Sequence, residues 1–169
     1  FTIHSFPTRR SSDLGWPVFQ EADDIEFWIP TTTYFFEAPF RLREADVAYA
    51  LDQKTLGERT FDRVFFSWGT DKPQETTDQY IAWIDRETGR LAYLEYTVRD
   101  MMESIKGCME FADYETFDGI TLATKLRNVT EPGGDPILHS YEIHDVEFGA
   151  DFSRRHVVPR PKLSEPKHP

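Results

Sequence analysis

The feature that most constrains this chain is side-chain alternation of period two between reversals that carry glycine. Phe117-Asp118-Gly119-Ile120 is the sharpest case. Asp-Gly is favoured at the centre of a two-residue type I′ turn, which needs positive φ at both central positions. Closing the chain there sets Phe117 opposite Ile120, and every facing pair then sums to 237. One face of the hairpin receives Met109, Phe111, Phe117, Ile120, Leu122 and Leu126. The other receives Thr116 opposite Thr121, Tyr114 opposite Ala123, Ala112 opposite Lys125, and Glu110 opposite Arg127. An apolar face backed by a wetter one is the antiparallel pattern. Asp113 and Glu115 fall on the apolar side, which calls for a bulge or a solvated rim there.

The same grammar recurs along the chain. Val47 to Leu56 and Phe61 to Trp68 flank Gly57-Glu58-Arg59-Thr60, a hairpin, with Val64, Phe66 and Trp68 on one side of the second strand. Residues 70–77 form a polar loop around Pro73. Gln79 to Ile84 and Leu91 to Arg99 flank Asp85 to Arg90, where Gly89 can adopt positive φ. After an irregular connection from Asp100 to Lys106 and the Asp-Gly hairpin, Glu131 to Pro136 breaks the chain. Ile137 to Phe148 is the last strand, with Tyr141 and Ile143 on one side. Seven strands in a meander, several about ten residues long and so about 33 Å in span, make a sheet that must curl and have its inner face covered. The expected fold is mostly β (α+β): a curved antiparallel meander forming a half-barrel with one or more covering helices. In the first part, Ile25 to Ile29 is an apolar run stopped by Pro30. Thr31-Thr32-Thr33 reads as a cap, with Glu37, for a short helix ahead of Pro39, its aromatics docked on the sheet, a strand being the alternative for the same stretch.

Residues His4 to Leu14 read HSFPTRRSSDL, which is the translation of a common short-read sequencing adapter. Residues 1–14 are therefore expected to be non-native and are set aside from the fold. The native sequence is expected to start near Gly15 and to be the carboxy-terminal part of a longer protein, with any export signal upstream. Residues 15–150 are one antiparallel β domain. Residues 151–169 are a basic, proline-rich tail expected to be poorly ordered.

Net charge is −11, and −12 once Arg9, Arg10 and Asp13 are removed with that segment. An acidic chain repels phosphate backbones, so nucleic acid and anionic membrane surfaces are poor partners. The single cysteine, Cys108, excludes an internal disulfide and a cysteine-based zinc cluster. No apolar run approaches the roughly 20 residues of a membrane helix.

The segments TYFFEAPFRL, TLGERTFDRVFFSW, DQYIAWIDRETGRLAYLEYTV and FADYETFDGITLATKL, in that order, resemble a bacterial family of uncharacterised envelope proteins. That family looks similar in shape to the lipoprotein carriers LolA and LolB, whose fold is an antiparallel half-barrel closed by helices. The resemblance covers roughly residues 31 to 148. It implies a periplasmic or outer-membrane-associated location and a lipid or lipoprotein partner. Its motifs are turn and strand motifs, so no ligand contact carries over residue by residue.

Residues that could carry chemistry lack a supporting pattern. His139 and His144, five apart in a strand, point to opposite faces, and no third ligand accompanies Glu142 and His144. Asp71, Glu75, Asp78, Asp85 and Glu87 lie in turns, where carboxylates are ordinary solvated groups. No glycine-rich phosphate loop or Gly-x-Ser-x-Gly elbow is present, Cys108 reads as an inert buried thiol, and Asn128-Val129-Thr130 as strand end rather than glycosylation site. No catalytic residue, metal site or cofactor is assigned. The stripe formed by Phe66, Trp68, Trp83, Tyr96, Phe111, Leu122, Leu126 and Ile143 is either packed sheet core or the lining of an apolar pocket. Three functions stay open: a non-enzymatic envelope protein holding an apolar or lipidic ligand, an interaction module with a filled interior, and an enzyme using rim carboxylates. Oligomeric state is left open.

Overall fold

The computed structural model describes residues 3–5, 23–75, 77–99, 106–146 and 148, with side chains from Thr31 onward. Strand β1 (Ile3–Ser5) precedes helix α1 (Asp23–Arg41), which ends in a 3-10 turn, Leu42–Glu44. Seven strands follow: β2 (Val47–Leu56), β3 (Arg59–Ser67), β4 (Gln79–Asp85), β5 (Leu91–Thr97), β6 (Lys106–Phe117), β7 (Ile120–Val129) and β8 (Pro136–Ile143). They form one open antiparallel sheet in the order β1-β8-β7-β6-β5-β4-β3-β2. From β2 to β8 it is the expected meander, curved and covered by one helix.

Turn chemistry accounts for the register. Asp118 (φ 46) and Gly119 (φ 82) both hold positive φ, as a type I′ turn requires. Phe117 faces Ile120, and the pairing runs through Cys108 opposite Val129 in the expected register. The expected charge pair forms, with Arg127 Nε 2.6 Å from Glu110 Oε2. At the first hairpin the turn is tighter than expected. Only Gly57 and Glu58 lie between the paired residues Leu56 and Arg59, and Gly57 takes φ 59. At the β4–β5 turn, Gly89 (φ 68) donates its N–H to the Asp85 carbonyl at 2.8 Å.

The early segment departs from expectation. α1 is one 19-residue helix rather than a short one, with Pro30 and Pro39 both inside it. The proline rule is local, and burial overrides it. Phe35, Ala38 and Leu42, spaced three and four apart, are all buried against the sheet. Each buried large apolar side chain contributes about 1.5–3 kcal/mol, against about 3 kcal/mol for an interior proline. The aromatics dock as expected: Tyr34 lies 5.6 Å from Tyr80, Phe35 4.8 Å from Tyr96, and Phe36 5.9 Å from Tyr141. Several strands end earlier than expected. β3 stops at Ser67, β5 at Thr97 and β8 at Ile143. The expected connection at 100–105 and the tail at 151–169 lie outside the described residues.

Both faces of the sheet are apolar. Under α1 lie Ala82, Leu94, Met109, Phe111, Leu126 and Tyr141. The opposite face holds Phe61, Trp83, Tyr93, Cys108 and Val129. The sheet curls enough to close over part of that second cluster. A Cβ on Gly133, in the β7–β8 loop, would lie 3.5 Å from Leu56 Cδ1 at the tip of β2, although five strands lie between β2 and β8 in the order. A register shift between Leu51 and Lys54 in β2 lets that tip bend. β1 adds three residues to the outer edge of β8, pairing Ile3 with Ile143.

One expected face assignment is corrected. Asp113 adopts φ 52, and the Thr124 hydroxyl donates to its carbonyl. This left-handed residue resets the alternation on both strands. Tyr114 and Ala123, placed on the wetter face by simple period two, join Phe111 and Leu126 beneath the helix.

Candidate functional site

The meander carries an apolar cleft where the carboxy-terminal half of α1 crosses β6 and β7. The helix supplies Phe36, Pro39 and Phe40, β6 supplies Phe111 and Tyr114, and β7 supplies Leu122, Ala123 and Leu126. Ile143 and Phe148 close the side toward β8. The cavity volume is about 160 Å³. Glu37 and Thr121 bring the polar side chains of the mouth, and Glu37 is paired with Arg41 one turn along the helix. Two of the exposed large apolar side chains among the described residues, Phe40 and Phe148, stand in this lining. Each is at least 40% exposed.

Local structure explains the gap in the sheet behind the cleft. β5 and β6 pair from Thr97 opposite Lys106 to Tyr93 opposite Glu110 and then part. The kink at Asp113 carries β6 away, and β5 itself is irregular between its pairings with Trp83 and Ile84. Tyr114 spans the gap. Its hydroxyl donates to the Leu91 carbonyl at 2.7 Å, and the Arg90 guanidinium lies 5.0 Å from its ring centroid. Burial pushes its phenol up to about 12, so the group stays neutral. Beyond Tyr114 lies a charged notch of about 260 Å³ lined by Arg59, Asp85, Arg90 and Glu110 among others. Phe111 and Tyr114 line both spaces.

The stripe read from the sequence divides three ways. Phe111, Leu122, Leu126 and Ile143 line the cleft. Phe66, Trp68 and Tyr96 share the helix-covered face but pack as core farther along it; Trp68 meets Tyr80 edge to face at 5.6 Å. Trp83 belongs to the opposite face, against Phe61 and Tyr93, with its indole N–H donating to Glu95 at 2.6 Å. In β4, Tyr80 and Ala82 turn toward the helix, so Ile81 and Trp83 turn away. Sequence reasoning missed Phe36, Phe40, Tyr114, Ala123 and Phe148. The signal for Tyr114 and Ala123 was the acidic residue in the apolar phase at Asp113.

Chemically competent groups are held in structural roles. Asp85, 3% exposed, accepts from the Thr88 and Glu87 N–H groups at 2.9 and 3.0 Å and from Arg59 Nε at 2.8 Å. The Thr88 N–H foremost, then Arg59, holds its carboxyl below the usual range. Asp78 accepts from the Arg99 N–H and the Thr97 hydroxyl. Burial pushes the Cys108 thiol up to about 12, which keeps it protonated and unreactive. Asn128 is 3% exposed and donates to the Tyr96 hydroxyl at 3.1 Å, inside the core. His144 lies past the end of β8 and is exposed. Among the described residues, no three His, Cys, Asp or Glu side chains converge as a metal site.

Compared with known proteins, the chain matches no protein-family model, no curated protein and no solved structure.

Proposed function

We propose that this protein is a non-catalytic binding protein that holds an apolar ligand of alkyl or acyl character in the cleft between α1 and the β6–β7 hairpin. The observation that carries this reading is the cleft itself. It is an almost wholly apolar cavity of about 160 Å³ with exposed Phe40 and Phe148 in its lining. Exposed apolar groups clustered at the mouth of a cavity mark a binding site. A dry cavity of about 150 Å³ accepts a molecule the size of benzene, so the cleft takes a short hydrocarbon or the end of a longer one. About six methylenes at roughly 0.8 kcal/mol each give about 5 kcal/mol before any cost of immobilisation. That amounts to sub-millimolar binding at best. Tighter capture draws on the rim, where Phe40 and Phe148 can cover the rest of a chain.

The resemblance to envelope proteins of lipoprotein-carrier shape supports the same reading. It extends the proposal to a periplasmic or outer-membrane-associated location and a lipid or lipoprotein partner. A second reading, an interaction module with a filled interior, draws on Ala38, Leu94 and Met109. All three are wholly buried, so the part of the helix-covered face around them is packed core.

Native mass spectrometry of the purified protein, with displacement of an environment-sensitive apolar dye by octanoate, tests the first reading. Co-purifying lipid, or saturable displacement lost in Ala123→Phe while the thermal midpoint holds, supports it. A ligand-free protein that binds neither dye nor octanoate turns the assignment to the second reading.

A further inference from the structure

We propose that Tyr114 is the wall that sets how long an alkyl chain the cleft accepts. This rests on the cleft being an alkyl-binding site and goes beyond it by naming the residue that determines specificity. Phe111 and Tyr114 are the only side chains lining both the apolar cleft and the charged notch. Phe111, 5% exposed, is part of the packed core. Tyr114 is instead a bridge across a parting in the sheet. No ladder pair joins β5 to β6 beyond Tyr93 and Glu110, and the phenol closes that gap through its bond to the Leu91 carbonyl. Arg90 braces the ring from the notch side.

A chain entering at Phe40 and Phe148 therefore runs inward until it meets the phenol ring. Behind the ring the lining turns to Arg59, Asp85, Arg90 and Glu110, a poor setting for methylenes. The accessible depth corresponds to about six carbons, from the benzene-sized capacity of a cavity this large. The ligand class implied is a short straight-chain alkyl group, or the terminal segment of a longer one with its remainder on the rim. Replacing the ring with a methyl group frees the volume the ring itself fills, and the apolar path lengthens by that space up to the edge of the charged notch.

The test is a chain-length series of straight 1-alkanols, read by displacement of an apolar dye from the full chain. With the wall in place, affinity rises about fourfold per methylene and levels off near about six carbons. In Tyr114→Ala the levelling moves to longer chains. In Tyr114→Phe, which keeps the ring and loses only the bond to Leu91, it stays where it was. Thermal melts of each variant show that the fold persists, and Tyr114→Leu replaces the alanine variant should that one not fold. A levelling point unchanged by removal of the ring overturns the role of Tyr114 while leaving the cleft a binding site. Failure of every alkanol to displace the dye overturns both.

Discussion

The ring of Tyr96 lies directly over Gly107, its partner across the β5–β6 ladder. A Cβ at position 107 would overlap the phenol, with Cε2 only 2.6 Å away. The ring cannot easily yield. It packs 4.8 Å from Phe35 of the helix, and its hydroxyl accepts a hydrogen bond from the buried Asn128. Gly107→Ala should therefore destabilise the protein by about 1–3 kcal/mol, the usual cost of overpacking. Urea unfolding followed by tryptophan fluorescence reads this directly. An unchanged midpoint would mean that the helix rides over the sheet more loosely than this contact requires.

His139 makes stability depend on pH. Burial pulls its imidazole down from about 6.5 to about 4, with Tyr141 edge to face at 5.0 Å. The folded state therefore binds fewer protons than the unfolded chain between those values. Stability is full above pH 6.5 and falls as pH drops toward 4. At about 1.4 kcal/mol per pKa unit the loss is about 3 kcal/mol at most. Urea midpoints at neutral pH and at pH 5 should differ in the wild type and differ less in His139→Phe. Equal acid sensitivity in both proteins would move the effect to other groups.

How much of this was legible beforehand can be seen at the β6–β7 hairpin. Asp118-Gly119 specified the turn, the turn specified the register, and the register placed Glu110 beside Arg127. Those are local consequences of φ preferences and period two. The faces beyond Asp113 were not legible in the same way. A single left-handed residue inside a strand resets the alternation, and nothing in residue types distinguishes an acidic rim from an acidic kink. The two prolines of α1 misled for a related reason, since their local cost is outweighed by burial of Phe35, Ala38 and Leu42 and burial is a tertiary quantity. The cleft was half legible: Phe111, Leu122, Leu126 and Ile143 line it, while Trp83 does not. The parting of β5 and β6 that opens the notch behind Tyr114 depends on strand irregularities invisible to an alternation count.

The amino-terminal segment offers a separate check. Ile3–Ser5 pairs with the outer edge of β8 at three positions. Its sequence reads as translated adapter. Deleting residues 1–14 should change unfolding free energy by less than about 1 kcal/mol, because an edge segment this short buries little. Chemical denaturation of the shortened chain settles the matter. A loss of several kcal/mol would make the segment a working part of the fold, whatever its origin.

Asp85 is the residue on which the β4–β5 turn depends. It is nearly inaccessible, yet its carboxylate satisfies the Glu87 and Thr88 N–H groups, the Thr88 hydroxyl and the Arg59 guanidinium. Asp85→Ala strands those donors at once. Buried donors left unpaired cost about 1–3 kcal/mol in total when water can partly replace the lost acceptor, and more when it cannot. Asp85→Asn keeps one acceptor oxygen and loses the charge, so it should fall between wild type and alanine. The lowered folded-state pKa fixes the acid dependence. The contribution of Asp85 is complete above the ordinary carboxyl range and disappears as pH falls through the lower folded value. The wild-type advantage over Asp85→Asn should thus persist at pH 5 and shrink only in stronger acid, below the window in which His139 titrates. Denaturation midpoints of both proteins across that range separate the two groups. An advantage already gone at pH 5 would mean that the turn is held by its backbone and by Gly89, with the carboxylate incidental.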